Sequence, residues 1–533
     1  MKKNQHLHQV VSGTLVLSVA GLIAKILGAV YRVPFQNLVG DTGYYAYQQI
    51  YPFYGIEVTL ALTGLPVFIS RVVAEQDDRG KQLAVARLCR QILLVAGVVI
   101  FALLTFGSRF IANVMGDAHL RVVILGLAPV FLLMPWLAVG RGVQQGLLNM
   151  YPTAFSQVSE QVVRVGWIIC VAVLAVVNHW NSYRMAAWAM ISASVAGLIA
   201  LGTLWITNHS LWQRAGRQSS PLTWHRLTKR LLTEGVLLCW LASVTVILQL
   251  VDSFTVKRAL VAGGLSEAAA HVSKGIFDRG QPLLQLGLVI ATSFSAALLP
   301  SLAEKWRHGQ RQTFVQVYRV LFHVCITLAT IAAAGMMTLM PVINTFLFKN
   351  SRGSWALVIL MLAVPLAALV SAFCAVLQSV GHLWAMTSGL LAGLVVKCLV
   401  NYPAVRALGI DGAAWGTVVS LLTTLLFVWR ALPAVVHQGG ERHFVVKLLV
   451  ITGVMVVVTG GGAWLMTSWL GSSRLSATLV LLVAIGVGAV VAIGLILHWQ
   501  LLTIEELMAL PGGEHLVRQT MKESKENKSN ETR

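Results

Sequence analysis

The chain has 533 residues, of which 57% are hydrophobic and only 11% are charged. Because soluble domains carry about 25% charged residues, this composition excludes a water-soluble globule and predicts an integral membrane protein. The net charge of +20 is scattered between apolar segments, so it indicates lipid-headgroup contacts and topology signals rather than nucleic-acid binding.

A spanning helix needs about 20 apolar residues, and breaks at Gly, Pro, Asn and charge clusters divide the chain into fourteen such segments. We expect a first lobe of six helices in 1–208, a basic cytoplasmic connector in 209–230 and a second lobe of six helices in 231–433. A helix pair in 444–500 and a polar, disordered cytoplasmic tail in 501–533 follow. The predicted helices lie near 10–35, 44–73, 85–109, 119–147, 152–178, 183–208, 231–256, 270–302, 315–343, 354–380, 384–405, 411–433, 444–470 and 474–500.

Two sequence patterns predict how these helices are arranged. Basic residues are commoner in the connections on the N-terminal side of the membrane, which predicts that both termini are cytoplasmic. Gln145 and Arg164 are 19 positions apart, as are Gln378 and Lys397, and in both places a polar turn leads into an apolar helix with a cation near its far end. The repeat favours two parallel lobes around a central cavity, with chance matching among common apolar residues as the alternative.

Six cations in or beside the apolar helices are candidate substrate-binding residues. An ionised side chain there costs roughly 2.5 to 3.5 kcal/mol unless it is paired or hydrated, so we expect these side chains to have a function. Lys25 and Arg32 are seven residues apart and therefore share a helix face, a spacing that suits a pyrophosphate with its sugar. For Arg32, contact with lipid headgroups is the alternative. The six candidates are Lys25, Arg32, Arg141, Arg164, Arg279 and Lys397.

Five further polar residues are candidates for charge balance or ion coupling. Glu57 lies in a helix that Gly and Pro allow to bend, and it would neutralise a neighbouring cation. For Asp252 the sequence leaves two alternatives open, a site for a coupling Na⁺ or H⁺ and an ion pair with Lys257 or Arg258. The five candidates are Glu57, Glu160, Asp252, Asp278 and Asn401.

Motifs for enzymatic or metal chemistry are missing from the sequence. It contains no HxxxH or HExxH spacing, no GxSxG and no P-loop, so we predict no catalytic residues, no bound metal, no cofactor and no enzymatic activity. The six cysteines stand singly in or beside apolar segments, which favours reduced packing residues over disulfides.

Three blocks carry a family resemblance. They are SGTLVLSVAGLIAKILGAVYRVPF, RGVQQGLLNMYPTAFSQVSEQVVRV and GIFDRGQPLLQL. The sequence resembles the polysaccharide transport branch of the MOP exporter superfamily, and within it the SpoVB/YtgP group of MurJ-like flippases. This resemblance implies fourteen helices, two six-helix lobes with a cationic central cavity, and a final helix pair that forms a groove for a lipid tail.

The resemblance also assigns roles to particular residues. Lys25 stands where MurJ-like proteins have a first-helix arginine that is required for function. Asp278 and Arg279 match an eighth-helix Asp-Arg pair whose arginine faces the cavity, whereas Arg32 is displaced by one position from the family's second basic residue. The family's second-helix arginine has no clear match, and Glu57 lies nearby.

The resemblance also bears on ion coupling. Some relatives bind sodium through a seventh-helix aspartate, and Asp252 with Asn401 would form the corresponding site. A second carboxylate one turn later is replaced by Val405. The resemblance therefore does not establish sodium coupling.

From the residues and the resemblance we expect a flippase for lipid II in a bacterial cytoplasmic membrane. Its partners would be the lipid-linked anionic glycan, membrane lipids and proteins of cell-wall synthesis or division, with no nucleic acid. The alternatives are export of another lipid-linked oligosaccharide, of capsule or teichoic type, and drug/cation antiport of MATE type.

Overall fold

The computed structural model of the protein describes residues 2–214, 221–438, 441–471 and 473–508. Within these ranges all regular secondary structure is helical, and fourteen helices are long and apolar enough to cross a membrane. This confirms the predicted all-helical membrane fold. The helices are α1 (Val16–Gln48), α2 (Tyr51–Ala74), α3 (Arg79–Phe106), α4 (Ala118–Gly146), α5 (Tyr151–Val177), α6 (Ser182–Thr207), α7 (Trp224–Ala262), α8 (Glu267–Arg307), α9 (Arg311–Thr338), α10 (Ser354–Val380), α11 (Leu383–Leu408), α12 (Ile410–Arg430), α13 (Arg442–Leu470) and α14 (Arg474–His498).

The boundary between the first two helices differs from the prediction. Gly40 has φ 71° and ψ 179°, and α1 continues beyond this kink to Gln48. The second helix, predicted to begin near residue 44, therefore begins at Tyr51. Pro52 lies in its first turn, where a residue without an N–H is tolerated because that group would have no helical partner.

The predicted connector and tail are partly helical. Trp224–Arg230, in the predicted connector (209–230), forms the first turns of α7. A short helix, α15 (Ile504–Met508), follows α14. Residues 215–220 of the predicted connector and residues 509–533 of the predicted tail lie outside the described residues.

The chain forms two compact units. The first comprises Met1–Pro282 with Lys397–Ala413, and the second comprises Leu283–Val396 with Ala414–Arg533. All eleven residues predicted to bind substrate or balance charge belong to the first unit. The predicted division into lobes on either side of 209–230 stays a prediction.

Two apolar clusters form the core of the first unit. One contains Phe35, Tyr44 and Tyr47 together with buried residues of α4, α5 and α6. The other contains Phe68 and Leu137 with further residues of α2, α3 and α4. Aromatic residues of α1 are thus fully buried beside polar positions, and this places the candidate site in the interior of the unit.

In the second unit, a charged cluster attaches α15 to α9 and α13. The ring nitrogens of His323 lie 2.6 Å from Glu506 Oε1 and 2.6 Å from Glu441 Oε2. Glu506 also accepts the Thr503 backbone N–H at 2.7 Å. Because each ring nitrogen faces a carboxylate, both must carry a hydrogen to bond. The geometry therefore fits a charged imidazolium.

Candidate anion-binding site

Arg32 is fully buried in α1 beside tyrosine side chains. Its Cζ lies 4.3 Å from the centre of the Tyr51 ring, and none of its side chain is exposed. In the part of the chain that the structure describes, no atom forms a hydrogen bond with any of its three guanidinium nitrogens. A buried cation without hydrogen bonds is strongly unfavourable, so this position favours an anion that supplies the missing acceptors.

Arg164, on α5, lies beside the same tyrosine. Its Nη2 donates to the Tyr47 hydroxyl at 2.8 Å and to the Tyr31 hydroxyl at 3.3 Å. Its Cζ lies 3.8 Å from the centre of the Tyr54 ring and 5.6 Å from that of Tyr51. Neutral hydroxyls and ring faces orient this guanidinium without cancelling its charge. Two buried cations therefore flank Tyr51.

Arg141, on α4, is held by three hydrogen bonds. It donates to Glu160, to Ser156 Oγ at 3.1 Å and to the backbone oxygen of Ala61 at 3.1 Å. Ala61 lies in a π-helical turn, Thr59–Thr63, where the wider hydrogen-bond spacing changes which backbone groups are paired. The charge of Arg141 is balanced by Glu160, and its hydrogen bonds connect α2, α4 and α5.

Glu57 lies at the same depth of the unit. Only 1% of it is exposed, and both carboxylate oxygens have no hydrogen-bond partner within the described residues. Its electrostatic neighbours are Glu160, Arg141 and Arg164. The predicted role of Glu57, balancing a nearby cation, fits this placement.

Arg279, at the start of α8, contacts the kink of α1. Its Nη2 donates to Asp41 Oδ1 at 2.7 Å. Asp278 instead accepts a hydrogen bond from Lys274 at 2.5 Å, so the adjacent Asp278 and Arg279 bond to different partners, as their helical spacing requires. A Cβ on Gly275 would come within 2.3 Å of the Asp41 backbone oxygen, which shows how closely α8 approaches α1.

The carboxylate of Asp252, on α7, is engaged by residues of α11. Lys397 Nζ lies 2.7 Å from Asp252 Oδ1, and Asn401 Nδ2 donates to the same oxygen at 2.9 Å. Of the two alternatives that the sequence left open for Asp252, the ion pair with Lys257 or Arg258 is not formed, because Lys397 takes that place. Lys257 forms its ion pair with Glu267, and Arg258 donates to the Val114 backbone oxygen.

The family can be identified from the comparison of this sequence with known ones. The family described as "Polysaccharide biosynthesis protein" matches residues 10–306. The chain belongs to this family. Among relatives from Bacillus subtilis (strain 168), the uncharacterized membrane protein YabM is 33% identical over 96% of both chains. The lipid II flippase MurJ is 23% identical over 90% of this chain and 93% of that protein.

Solved structures confirm the fold of this polysaccharide biosynthesis family member. The inward closed conformation of the lipid II flippase MurJ matches with a TM-score of 0.65 at 13% identity, over 90% of this chain and 98% of that chain. An inward-facing multidrug resistance MATE family transporter of the MOP superfamily matches with a TM-score of 0.61 at 15% identity, over 80% and 100%. The family and the fold are those of transporters and flippases, which confirms the resemblance found in the sequence.

The two family-related cations of α1 differ in their surroundings. The side chain of Lys25 is exposed on the first unit, whereas Arg32 is fully buried. The structure brings Arg32 together with Arg164, and it places Arg141 beside Glu57 and Glu160. Lys25 is not buried among these residues.

Sequence reasoning missed Asp41 and the tyrosines around the arginines. Asp41 neutralises Arg279 from a position far away in the sequence, so local patterns gave no sign of it. The tyrosines did leave a signal in YYAYQQIYPFY, because phenolic hydroxyls within apolar helices need hydrogen-bond partners. That run predicts a polar cluster in the membrane.

Proposed function

We propose that this protein is a flippase that moves an undecaprenyl-pyrophosphate-linked precursor, lipid II, from the inner to the outer leaflet. The lipid II flippase MurJ is a relative along nearly the whole chain and has the same fold. Polysaccharide biosynthesis, the description of the family, also requires lipid-linked sugars to cross a membrane. The proposal needs no covalent chemistry, only a site for the anionic headgroup.

The observation that carries the proposal is the buried guanidinium of Arg32, whose nitrogens have no hydrogen-bond partner in the described residues. Phosphate oxygens are suitable acceptors because they match the planar fork of a guanidinium. Arg164 also lies beside Tyr51, with its Cζ 5.6 Å from the centre of that ring, and would bind the second phosphate. Arg141, Arg279 and Lys397, which are already paired with carboxylates, would hold helices in place and contribute to the positive potential.

Transport would follow from a difference in affinity between two states. A ligand shifts a conformational equilibrium only by as much as it binds one state better than the other. We propose that the pyrophosphate binds Arg32 and Arg164 more tightly before translocation, and that the rearrangement of the kinked α1 weakens this contact. Lys25, exposed on α1, would attract the headgroup before it reaches the buried pair.

The proposal is tested with Arg32→Gln, which removes the charge and keeps a long polar side chain. In purified protein, affinity for inorganic pyrophosphate should fall about 10- to 100-fold, since a charged hydrogen bond contributes roughly 1.5–3 kcal/mol. In cells depleted of their own lipid II flippase, the wild-type chain should restore growth and Arg32→Gln should not. Arg32→Lys should be intermediate because it keeps the charge but not the fork.

Arg109→Gln is the matched control, since it makes the same change at an exposed position and should leave both readouts unchanged. Thermal unfolding separates function from structure. Removing a buried cation that lacks partners should leave stability equal or higher. Wild-type pyrophosphate binding by Arg32→Gln would contradict the proposed site, and lower stability together with normal transport would indicate a purely structural arginine.

A second lipid-linked glycan is the main alternative substrate, favoured by the family description. Its pyrophosphate would use the same arginines, so only the sugar differs. Insertion of the wild-type chain without rescue of growth, together with Arg32-dependent pyrophosphate binding, would favour such a glycan over lipid II. Antiport of a cationic drug is less compatible with Arg32 and Arg164, because two buried guanidinium groups repel a cation.

The proposed setting of this activity is a bacterial cytoplasmic membrane with both termini in the cytoplasm, close to proteins of cell-wall synthesis or division. We also propose that Asp252 is the residue through which a Na⁺ or H⁺ gradient acts. Such a cation would have to replace Lys397 on Asp252 Oδ1. Binding of the coupling cation would then change the contact between α7 and α11.

A further inference from the structure

A cavity of about 750 Å³ opens at one end of the first unit. Its walls come from the end of α1, from the connections between α3 and α4 and between α5 and α6, and from the start of α8. Each of these points is reached after an odd number of membrane crossings. The cavity therefore lies on the membrane face opposite the N-terminus, and none of the six candidate cations is among its lining residues.

Asp117 fixes the shape of the cavity floor. It accepts hydrogen bonds from the Tyr183 hydroxyl at 2.7 Å, the Tyr45 hydroxyl at 3.1 Å and the His119 backbone N–H at 3.1 Å. His271 Nε2 lies 3.4 Å away, and the His271 ring stacks on Tyr45 with 4.4 Å between centres. One buried carboxylate thus connects α1, α4, α6 and α8, so the floor is built before any ligand binds.

The second carboxylate of the cavity is also engaged by the protein. Glu267 forms an ion pair with Lys257, which donates in addition to the backbone oxygen of Gly116. Lys257 is itself only 2% exposed. Since both carboxylates have partners, the cavity does not offer an acidic cluster to a cation.

The remaining groups that line the cavity define its ligand. No Lys, no Arg and no Leu, Ile, Val or Met is among the residues of the described chain that line it, which disfavours a polyanion and an acyl chain. The volume falls within the range of small-molecule sites, about 300–1,000 Å³. The lining groups that face a ligand are three rings, two hydroxyls and an amide, from His119, Trp180, Tyr183, Thr42, Ser182 and Asn181.

Two of the rings are held in place by neighbours. The Arg184 guanidinium packs 4.6 Å from the centre of the Trp180 ring, and His119 stacks on Tyr183 at 5.1 Å. Asn181 Oδ1 accepts the Tyr183 backbone N–H at 2.8 Å. Preorganised aromatic faces beside short polar groups match a pyranose ring, which has an apolar C–H face and a rim of hydroxyls.

We propose that this cavity binds an uncharged sugar ring of the transported glycan on the face opposite the N-terminus. The inference rests on the proposed function and extends it with a second subsite, which is separate from the pyrophosphate site. A subsite here gives the headgroup favourable contacts after it has crossed. It therefore contributes to the difference in affinity between the two states that drives transport.

The test uses the purified full-length protein in lipid nanodiscs and an N-acetylated glucosamine disaccharide as the probe. Saturation-transfer NMR should show magnetisation passing from the protein to the sugar-ring protons. Trp180→Ala should weaken binding about 2- to 10-fold, the contribution expected of one aromatic contact, whereas Trp180→Phe should retain most of it. Trp384→Ala, at a tryptophan that is 86% exposed in the second unit, is the matched control and should bind normally.

Absence of transfer to the wild-type protein would overturn the proposal, as would equal transfer to Trp180→Ala. Displacement of the disaccharide by a simple alkylammonium ion would also overturn it, because the cavity would then be a cation site. Pyrophosphate binding is measured on the same samples. Arg32-dependent pyrophosphate binding without sugar binding refutes only this subsite, whereas loss of the Arg32 dependence refutes the proposed function.

Discussion

The pair formed by Asp252 and Lys397 allows a quantitative test of whether Lys397 holds the fold or binds substrate. Both side chains are almost completely buried, 4% and 0% exposed, with 2.7 Å between Lys397 Nζ and Asp252 Oδ1. Lys397→Met removes the cation at nearly constant volume and leaves a buried carboxylate unbalanced. Breaking a buried pair in this way costs about 3–5 kcal/mol of unfolding free energy.

The double variant, Asp252→Asn with Lys397→Met, should recover most of that loss. With both charges removed, no uncompensated ion remains buried, and such replacements are often neutral. The asparagine keeps a side-chain oxygen that can accept the hydrogen bond from Asn401, which now goes to Asp252 Oδ1. The double-mutant cycle should therefore give a coupling of about 1–3 kcal/mol or more.

Unfolding in SDS, followed by circular dichroism, measures the four proteins of this cycle in mixed micelles. Additive losses, with the double variant the least stable, would refute the pairing. The same variants can then be tested for growth rescue. A double variant that is stable but inactive would show that the charges serve transport, whereas a stable and active one would confine Lys397 to a structural role.

Two further predictions concern other contacts. Glu506 is 3% exposed, and this burial raises its pKa, but hydrogen bonds from His323 and a backbone N–H outweigh the effect and lower the pKa below its usual value. Its stabilising contribution is therefore complete above the ordinary carboxyl pKa of about 4.3 and is lost as the pH falls through the lower folded value. The protection of the α15 amides, obtained by mass spectrometry from exchange rates corrected for their intrinsic pH dependence, should fall over that acidic window, and Glu506→Gln should abolish this fall. Gly275→Ala should lower the unfolding free energy by about 1–3 kcal/mol through overpacking, because the new Cβ would lie 2.3 Å from the Asp41 backbone oxygen. Gly453→Ala is the control, since no atom lies within 4 Å of its new Cβ. It should stabilise its helix by up to about 1 kcal/mol. Equal unfolding free energies for the two glycine variants would contradict the close approach of α8 to α1.

The number of membrane helices was predictable because the bilayer leaves the chain few choices. Backbone N–H and C=O groups in the lipid core must form hydrogen bonds within their own helix, so a long apolar run can cross the membrane only as a helix. The kink at Gly40 was not predictable on the same grounds. A glycine with positive φ is common at the end of a helix, and only the packing of the following tyrosines shows that α1 continues.

The partners of the buried charges could not be predicted from local spacing. Asp252 lies five and six residues from Lys257 and Arg258, yet its cation is Lys397, on α11. Asp41 and Arg279 are 238 residues apart. Helix packing decides these pairs, and similar apolar helices give no sequence signal for which of them pack together.

The ion pairs within the protein nevertheless distinguish the predicted cations that are available to bind an anion from those that are not. Arg141, Arg279 and Lys397 each face a carboxylate, and an anion that binds them must compete with a charge already in place. Arg164 is held by neutral hydroxyls, and Arg32 packs on the ring of Tyr51 and lies near the hydroxyl of that tyrosine. Glu57 and Asp278 interact electrostatically with Arg164 and Arg32 respectively, but neither carboxylate forms a salt bridge with them within the described residues. An anionic ligand would therefore add the direct ion pairs that these two guanidinium groups lack. A sequence can indicate that six cations lie in the membrane, but only the positions of their partners distinguish Arg32 and Arg164, which form no salt bridge within the described residues, as the cations most open to the proposed pyrophosphate.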